Sequence, residues 1–257
     1  MKIVLSGTGN MGAQLGQNLI KKGFGIHQLY GRSADKTKKL AEKLGCDFTT
    51  NLDSIKKDGD LYIIAVSDKA IQKISEKLKL GNAVVVHTAG SVDMNILMGC
   101  SNNYGVIYPL QTISENTEIS FSDIPVCIEA NNECAMKTIK ILANKLSNHV
   151  FQVDSEKRKF LHIAGVMVNN FTNFMYSLAN ELAEKKGFDF EILKPLILET
   201  ANKVLKNDPK AVQTGPAIRN DVQTISSHIN LLNDFPDHQK IYSFVTECMQ
   251  QYYLKSK

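Results

Sequence analysis

The chain has 257 residues, 43% of them apolar and 22% charged, a globular balance that excludes a disordered polymer. Net charge is +4 with acidic and basic residues interleaved, so Lys36-Thr37-Lys38-Lys39 and Lys157-Arg158-Lys159 read as solvated helix faces, not a nucleic-acid surface. No apolar run approaches the about 20 residues of a bilayer span.

Over the first 150 or so residues, short β-branched runs alternate with helical patterns. Strands are expected at Lys2–Ser6, Ile26–Tyr30, Asp60–Val66, Ala83–His87, Gly105–Leu110, Val126–Glu129 and Val150–Val153. Helices are expected at Asn10–Lys22, Ala34–Leu44 and Glu133–Leu146. That alternation predicts a doubly wound, mostly parallel α/β sheet. From Asp154 onward only long helical segments follow: one capped by Asp154 or Ser155 and ended by Gly187, then Asp189–Lys206, Pro216–Asn233 and Pro236–Leu254. Two domains are therefore expected, an α/β domain over 1–153 and an all-helical domain over 154–257.

Gly7-Thr8-Gly9-Asn10-Met11-Gly12 is a G-x-G-x-x-G loop. The bare pattern is common, but here it follows an expected strand and opens an expected helix, the context a dinucleotide loop requires. Gly7 permits the tight turn, Gly9 lets backbone N–H groups approach a pyrophosphate, and Gly12 lets helix and strand pack closely. The end of the second strand then discriminates between cofactors. An acid there would bind the ribose diol of NAD, whereas this chain has Gly31-Arg32-Ser33. A guanidinium and a hydroxyl can hold a 2′-phosphate, so the expected cofactor is NADP(H).

Ligands in such sheets lie beyond the carboxyl ends of the strands. That rule selects Ala65-Val66-Ser67-Asp68, then His87-Thr88-Ala89-Gly90-Ser91, then Tyr108-Pro109-Leu110-Gln111-Thr112, as the lining of the nicotinamide half. Ala65, Val66, Ser67, His87, Ala89 and Gly90 are the expected cofactor contacts, and Gln111 and Thr112 the expected substrate contacts. His87 has two readings, a reserve acid or a polar cap on its strand.

The loop with Gly31-Arg32-Ser33 resembles the NADP-binding domain of pyrroline-5-carboxylate reductase and its relatives. His87–Ser91, Tyr108–Thr112, His162–Asn170 and Thr214–Asp221 together resemble Rossmann-like proteins with a C-terminal domain of unknown function 2520. The resemblance covers nearly the whole chain and implies an NADP-dependent oxidoreductase. It carries no settled substrate.

Along the helix after Asp154, Leu161, Gly165, Val168, Thr172, Met175 and Leu182 form an expected core stripe. His162, Val166, Asn169 and Asn173 form a neighbouring one. β-Hydroxyacid dehydrogenases carry a lysine four residues before an asparagine on the corresponding helix; aligning Asn170 with that asparagine leaves Val166 in place of the lysine. His162, one turn earlier, is the candidate acid, with Asn169 or Asn170 polarising the acceptor; an interdomain hydrogen bond is the other reading of His162. Thr214 and Arg219, with Asn173, are candidate substrate contacts, since a helix start and a guanidinium suit a carboxylate. A cap, a surface ion pair and a solvated histidine are the simpler reading.

The leading expectation is hydride transfer to or from a small carbonyl, imine or alcohol. The missing lysine motivates an alternative, a non-catalytic NADP(H)-binding sensor or scaffold, and a deazaflavin partner is a third reading. Cys46, Cys100, Cys127, Cys134 and Cys248 contain no C-x-x-C, so free thiols and no metal site are expected. Ser6-Gly7 comes too early for the apolar core of a secretion signal, which with those thiols predicts a cytoplasmic protein. The long apolar helices suggest a homodimer through the helical domain.

Overall fold

The computed structural model describes residues 1–114 and 119–254. Its sheet has eight strands: β1 Ile3–Ser6, β2 Ile26–Tyr30, β3 Asp47–Thr49, β4 Leu61–Ile64, β5 Val84–His87, β6 Asn103–Pro109, β7 Val126–Ala130 and β8 Val150–Gln152. Their order is β3-β2-β1-β4-β5-β6-β7-β8, parallel throughout except where β7 runs against β6. Four helices serve the sheet: α1 Asn10–Lys21, α2 Ala34–Leu44, α3 Asp68–Lys77 and α4 Glu133–Leu146.

Strand side chains alternate between two covered faces, which is why β1, β4 and β5 are almost wholly apolar. Ile3, Leu5, Ile63, Val86 and Ile107 belong to one core with Leu15, Leu40 and Leu142 of the helices. Val4, Tyr62, Ile64 and Val85 belong to the other, with Ile71 and Ile74 of α3. Val106, Tyr108 and Cys127 extend that second face, where Leu161 packs on them. Two elements were not anticipated from the sequence. One is β3, three residues with little apolar signal at the sheet edge; the other is α3, whose Ile71 and Ile74 are the only buried apolar positions in ten residues.

Helix α5, Ser155–Gly165, is followed directly by a π-helical turn at Val166–Phe171 and by α6, Thr172–Lys186. The chain separates into two compact units, Met1–Asn170 and Phe171–Lys257. The strands thus end at Gln152 while the first unit continues through α5. The wide π turn changes the phase of the helix, and the core stripe expected from a uniform 3.6-residue period does not form. Val168 is 75% exposed and Met175 40% exposed.

The second unit contains α7 Lys194–Lys206, α8 Val222–Leu231 and α9 Pro236–Leu254 besides α6. Helix α7 begins five residues later than expected because Phe190–Leu193 is a 3-10 turn. Helix α8 begins at Val222, not Pro216. Asp221 caps it by accepting from the Thr224 N–H, and Asn220, at φ 53°, turns the chain out of helical geometry just before. No helix among the described residues is long and apolar enough to cross a membrane.

Candidate functional site

Ser6 pairs with Tyr30 on one side and Ile64 on the other, and Ile64 pairs with His87. The carboxyl ends of β2, β1, β4 and β5 are therefore level, and the loops that follow them share one rim. A groove of about 650 Å³ lies along it, lined by Gly7–Met11, Tyr30–Arg32 and Ala65–Ser67 among others. The Gly7 N–H donates to the Tyr30 carbonyl at 2.8 Å. Gly7 itself has φ +131°, and a Cβ there would collide with the Ala65 carbonyl. A Cβ at Gly12 would strike the Gly7 carbonyl. Gly9 differs: nothing lies within 4 Å of its Cβ position. The first turn of α1 carries no acid and no side chain caps its start, and Gly9, Asn10 and Met11 of that start line the groove. This is the arrangement a diphosphate requires.

Gly31 is wedged between Thr37 and Thr8, which brings Arg32 to the groove edge. Arg32 is exposed, and no carboxylate among the described residues pairs with it. Ser33 holds the N-cap position of α2 without using its hydroxyl as a cap. The opposite lining includes Thr50, Asn51 and Leu52 after β3, and Ala70, Lys73, Ile74 and Lys77 of α3. Sequence reasoning missed these; the i, i+4 spacing of Lys73 and Lys77 after the Ala65–Ser67 strand end was the available signal. Three cations and no carboxylate line the groove. A dinucleotide with an additional 2′-phosphate fits that charge, and the acid that would bind a free ribose diol is missing from the end of β2.

His87 is fully buried at the end of β5 and is not part of the groove lining. Its Nδ1 accepts from the Ala89 N–H at 3.1 Å, bracing the turn that follows. Burial, then the nearby Arg158 guanidinium, push its pKa down to about 4. At neutral pH it is an uncharged imidazole inside the protein. Ala89 is buried beside it.

Gly90 leads to a second cluster. Its Cβ position would collide with the Tyr108 ring and with His162 Nδ1. Tyr108 Oη and His162 Nδ1 are 3.0 Å apart, with the rings edge to face. Burial raises the Tyr108 pKa, with Cys127 adding to the effect, Arg158 opposing it and Asp68 contributing least. The strand-end rule placed Tyr108 in the lining of the groove but gave it no role of its own. Close by in sequence, Asn169 Nδ2 donates to Thr112 Oγ1, and Gln111 Oε1 accepts from the Thr112 N–H at 2.9 Å. Asn169 and Asn170 are both exposed, not buried as a core helix would require.

Helix α5 is fastened beneath this cluster by an ion pair. Arg158, with no exposed surface, bonds to Glu129 of β7 and to the Val92 carbonyl, and reaches Ser155 Oγ at 3.0 Å. Glu129 also accepts from the Ser155 N–H at 2.8 Å and from its hydroxyl at 2.7 Å. The carboxylate and guanidinium thus compensate each other where either alone would be costly.

Asn173, Thr214 and Arg219 belong to the second unit. The Asn173 carbonyl accepts from Ser177 Oγ, and the Thr214 carbonyl from Gln213 Nε2. Arg219 precedes α8 instead of lying in its first turn, so the expected pairing of its guanidinium with a helix start at Pro216 does not occur. His228 Nδ1 lies 2.8 Å from the Tyr242 hydroxyl. No cluster of three or more His, Cys, Asp or Glu suited to a metal ion occurs among the described residues.

Residues 2–90 match the family described as NADP oxidoreductase, coenzyme F420-dependent, and residues 124–248 match the domain of unknown function DUF2520. A Bacteroides fragilis protein provisionally described as an NADP oxidoreductase is 41% identical, with 97% of this chain and 98% of that one covered and a TM-score of 0.88. The 1-pyrroline-5-carboxylate reductase of Streptococcus pyogenes shares the fold at 13% identity, with 98% of each chain covered and a TM-score of 0.66. Over 97 residues the chain is 31% identical to L-aspartate dehydrogenase of Methanocaldococcus jannaschii. That match spans 36% of this chain and 36% of the length of the curated enzyme.

Proposed function

This chain belongs to the family of NADP oxidoreductases that carry a C-terminal DUF2520 domain, and we propose that it moves hydride between NADP(H) and a small carbonyl, imine or alcohol. The observation that carries the reading is the groove: an open helix N-terminus at Gly9, three cations and no carboxylate. The α1 N-terminus holds the diphosphate, Arg32 and Ser33 hold the 2′-phosphate, and Ala65–Ser67 lead toward the nicotinamide. When bound, the nicotinamide supplies or takes up the hydride. The protein supplies orientation and a proton, and His162, Asn169, Thr112 and Gln111 are the polar groups available for that work. His87, buried and neutral, braces the loop that presents Gly90.

The proposed assembly is a homodimer through the helical unit. No residue of α7 is buried, and Leu198 and Leu205, seven residues apart on one face, are 63% and 80% exposed. A second copy is the occupant proposed for the apolar face they form. The five free thiols suit a reducing, cytoplasmic setting.

Fluorescence titrations with NADPH and NADH, on wild type and Arg32→Ala, test the cofactor reading. At least tenfold tighter NADPH binding (about 1.4 kcal/mol) that disappears in the variant is expected. Equal binding of the two nucleotides, or none of either, would overturn it.

A further inference from the structure

Tyr108 is the penultimate residue of β6, on the sheet face that Leu161 covers and two residues beyond the level of His87. It is 8% exposed, whereas its partner His162 is only half-buried. The pair therefore has an inner phenol and an outer imidazole joined by one hydrogen bond of 3.0 Å. Its geometry is fixed from two sides. The Gly90 backbone lies so close that any side chain there would strike both rings. Arg158, one helical turn before His162, is locked to Glu129 and to the Val92 carbonyl. A surface hydrogen bond would need none of this support, and side chains held this rigidly are what proton transfer at a defined point requires.

We infer that Tyr108 is the proton donor to the substrate heteroatom and that His162 restores its proton from solvent. This rests on the reductase reading above and deepens it, since His162 then acts through Tyr108 as a positioning and relay group. In the delivering arrangement His162 Nδ1–H donates to Tyr108 Oη, which leaves the phenol's own O–H for the acceptor. That O–H bond breaks as the proton bonds to the acceptor's oxygen or nitrogen; the hydride reaching the neighbouring carbon carries both electrons. The phenolate then takes the Nδ1 proton while Nε2 takes one from solvent, which leaves His162 as the Nε2–H tautomer. Loss of that proton to solvent and reprotonation at Nδ1 restore the starting state. The groups facing Tyr108 are Cys127 of β7, Asp68 of α3, and Arg158 and His162 of α5. Burial raises the phenol's pKa, which keeps the proton on Oη until an acceptor is in place.

Wild type, Tyr108→Phe and His162→Gln would be compared by NADPH fluorescence titration and by 15N NMR of the histidine rings. NADPH oxidation would be followed with a panel of small ketones, aldehydes and cyclic imines. All three proteins should bind NADPH within about twofold, which also shows that the variants fold. Tyr108→Phe should shift the His162 ring-nitrogen resonances and lower kcat by about 100-fold or more, with KM little changed. His162→Gln should lose less and flatten the pH profile. Tyr108→Phe turnover within about threefold of wild type, or unshifted His162 resonances, overturns the inference alone. A wild type that binds no NADPH, or oxidises it with no probe, overturns the reductase reading and takes the inference with it.

Discussion

Arg158 and Glu129 form an ion pair inside the first unit, the guanidinium fully covered and the carboxylate nearly so. Glu129 sits opposite Val106, which itself sits opposite His87, so the carboxylate shares a row across three strands with that histidine. The same pair thus holds α5 on the sheet and places a positive charge near His87. Replacing one partner leaves the other charged, buried and alone. Arg158→Met should cost about 3–5 kcal/mol by urea denaturation, and the double replacement with Glu129→Leu should recover much of that loss. Recovery to near wild-type stability together with unshifted His162 resonances would show that the pair is not what positions α5.

The glycines of the phosphate loop separate folding from binding. Gly7→Ala puts a Cβ against the Ala65 carbonyl at a backbone angle that L residues avoid, and should cost about 3 kcal/mol or more. Gly9→Ala meets no atom of the protein, so its unfolding midpoint should stay close to that of wild type. Its NADPH Kd should nevertheless rise about tenfold or more, because the new methyl occupies the approach of the diphosphate. A Gly9→Ala protein that binds NADPH normally would move the diphosphate away from α1.

Acid should weaken the fold through His87. Its pKa is about 4 in the folded protein against 6.5 when solvated, burial being the main cause and Arg158 the next, with Asp93 and Asp68 opposing. Between those values the unfolded chain binds the extra proton, so stability rises with pH across that window. The fold keeps its full stability above about pH 6.5 and loses up to about 3 kcal/mol as the pH falls toward 4. His87→Gln should flatten that slope in denaturation curves measured from pH 4 to 7. Asp58, held down to about 2 by Lys2 and His27, answers only at lower pH, so the two contributions separate.

The exposed leucines of α7 predict oligomeric state. Leu198→Glu with Leu205→Glu places two carboxylates on the apolar face and should convert a dimer to monomer by sedimentation velocity. Helicity should fall only slightly. A wild-type protein that sediments as a monomer would leave that face without its proposed occupant.

The parallel sheet was readable because β1, β4 and β5 are buried on both faces and so write continuous apolar runs. The phosphate loop was readable for a different reason, since Gly7 and Gly12 each answer a steric demand of the fold and Gly9 leaves room for a diphosphate. Edge strand β3 has no such demand and left no trace. The strand-end rule placed Gly90 and Tyr108 on one rim, but their contact with His162 was hidden by distance in sequence: the three meet only because β5, β6 and α5 are neighbours. Periodicity failed at Val166–Phe171, where the helix departs from 3.6 residues per turn, and every face drawn through that stretch was drawn with the wrong phase. Arg219 was misplaced for a related reason, a proline-led helix start that Asn220 interrupts.

The π turn also says something about how this helix tolerates change in chain length. A turn of this kind carries one residue more than an α-helix needs to cover the same path. Removing a residue from within Val166–Phe171 would let the backbone settle into ordinary helix with the flanking turns still in step. Removing one from α5 would instead rotate all that follows by about 100°. The segment beside Asn169 and Asn170 is therefore the place in the helix where a single-codon deletion can be absorbed locally, and the turns on either side are where it cannot.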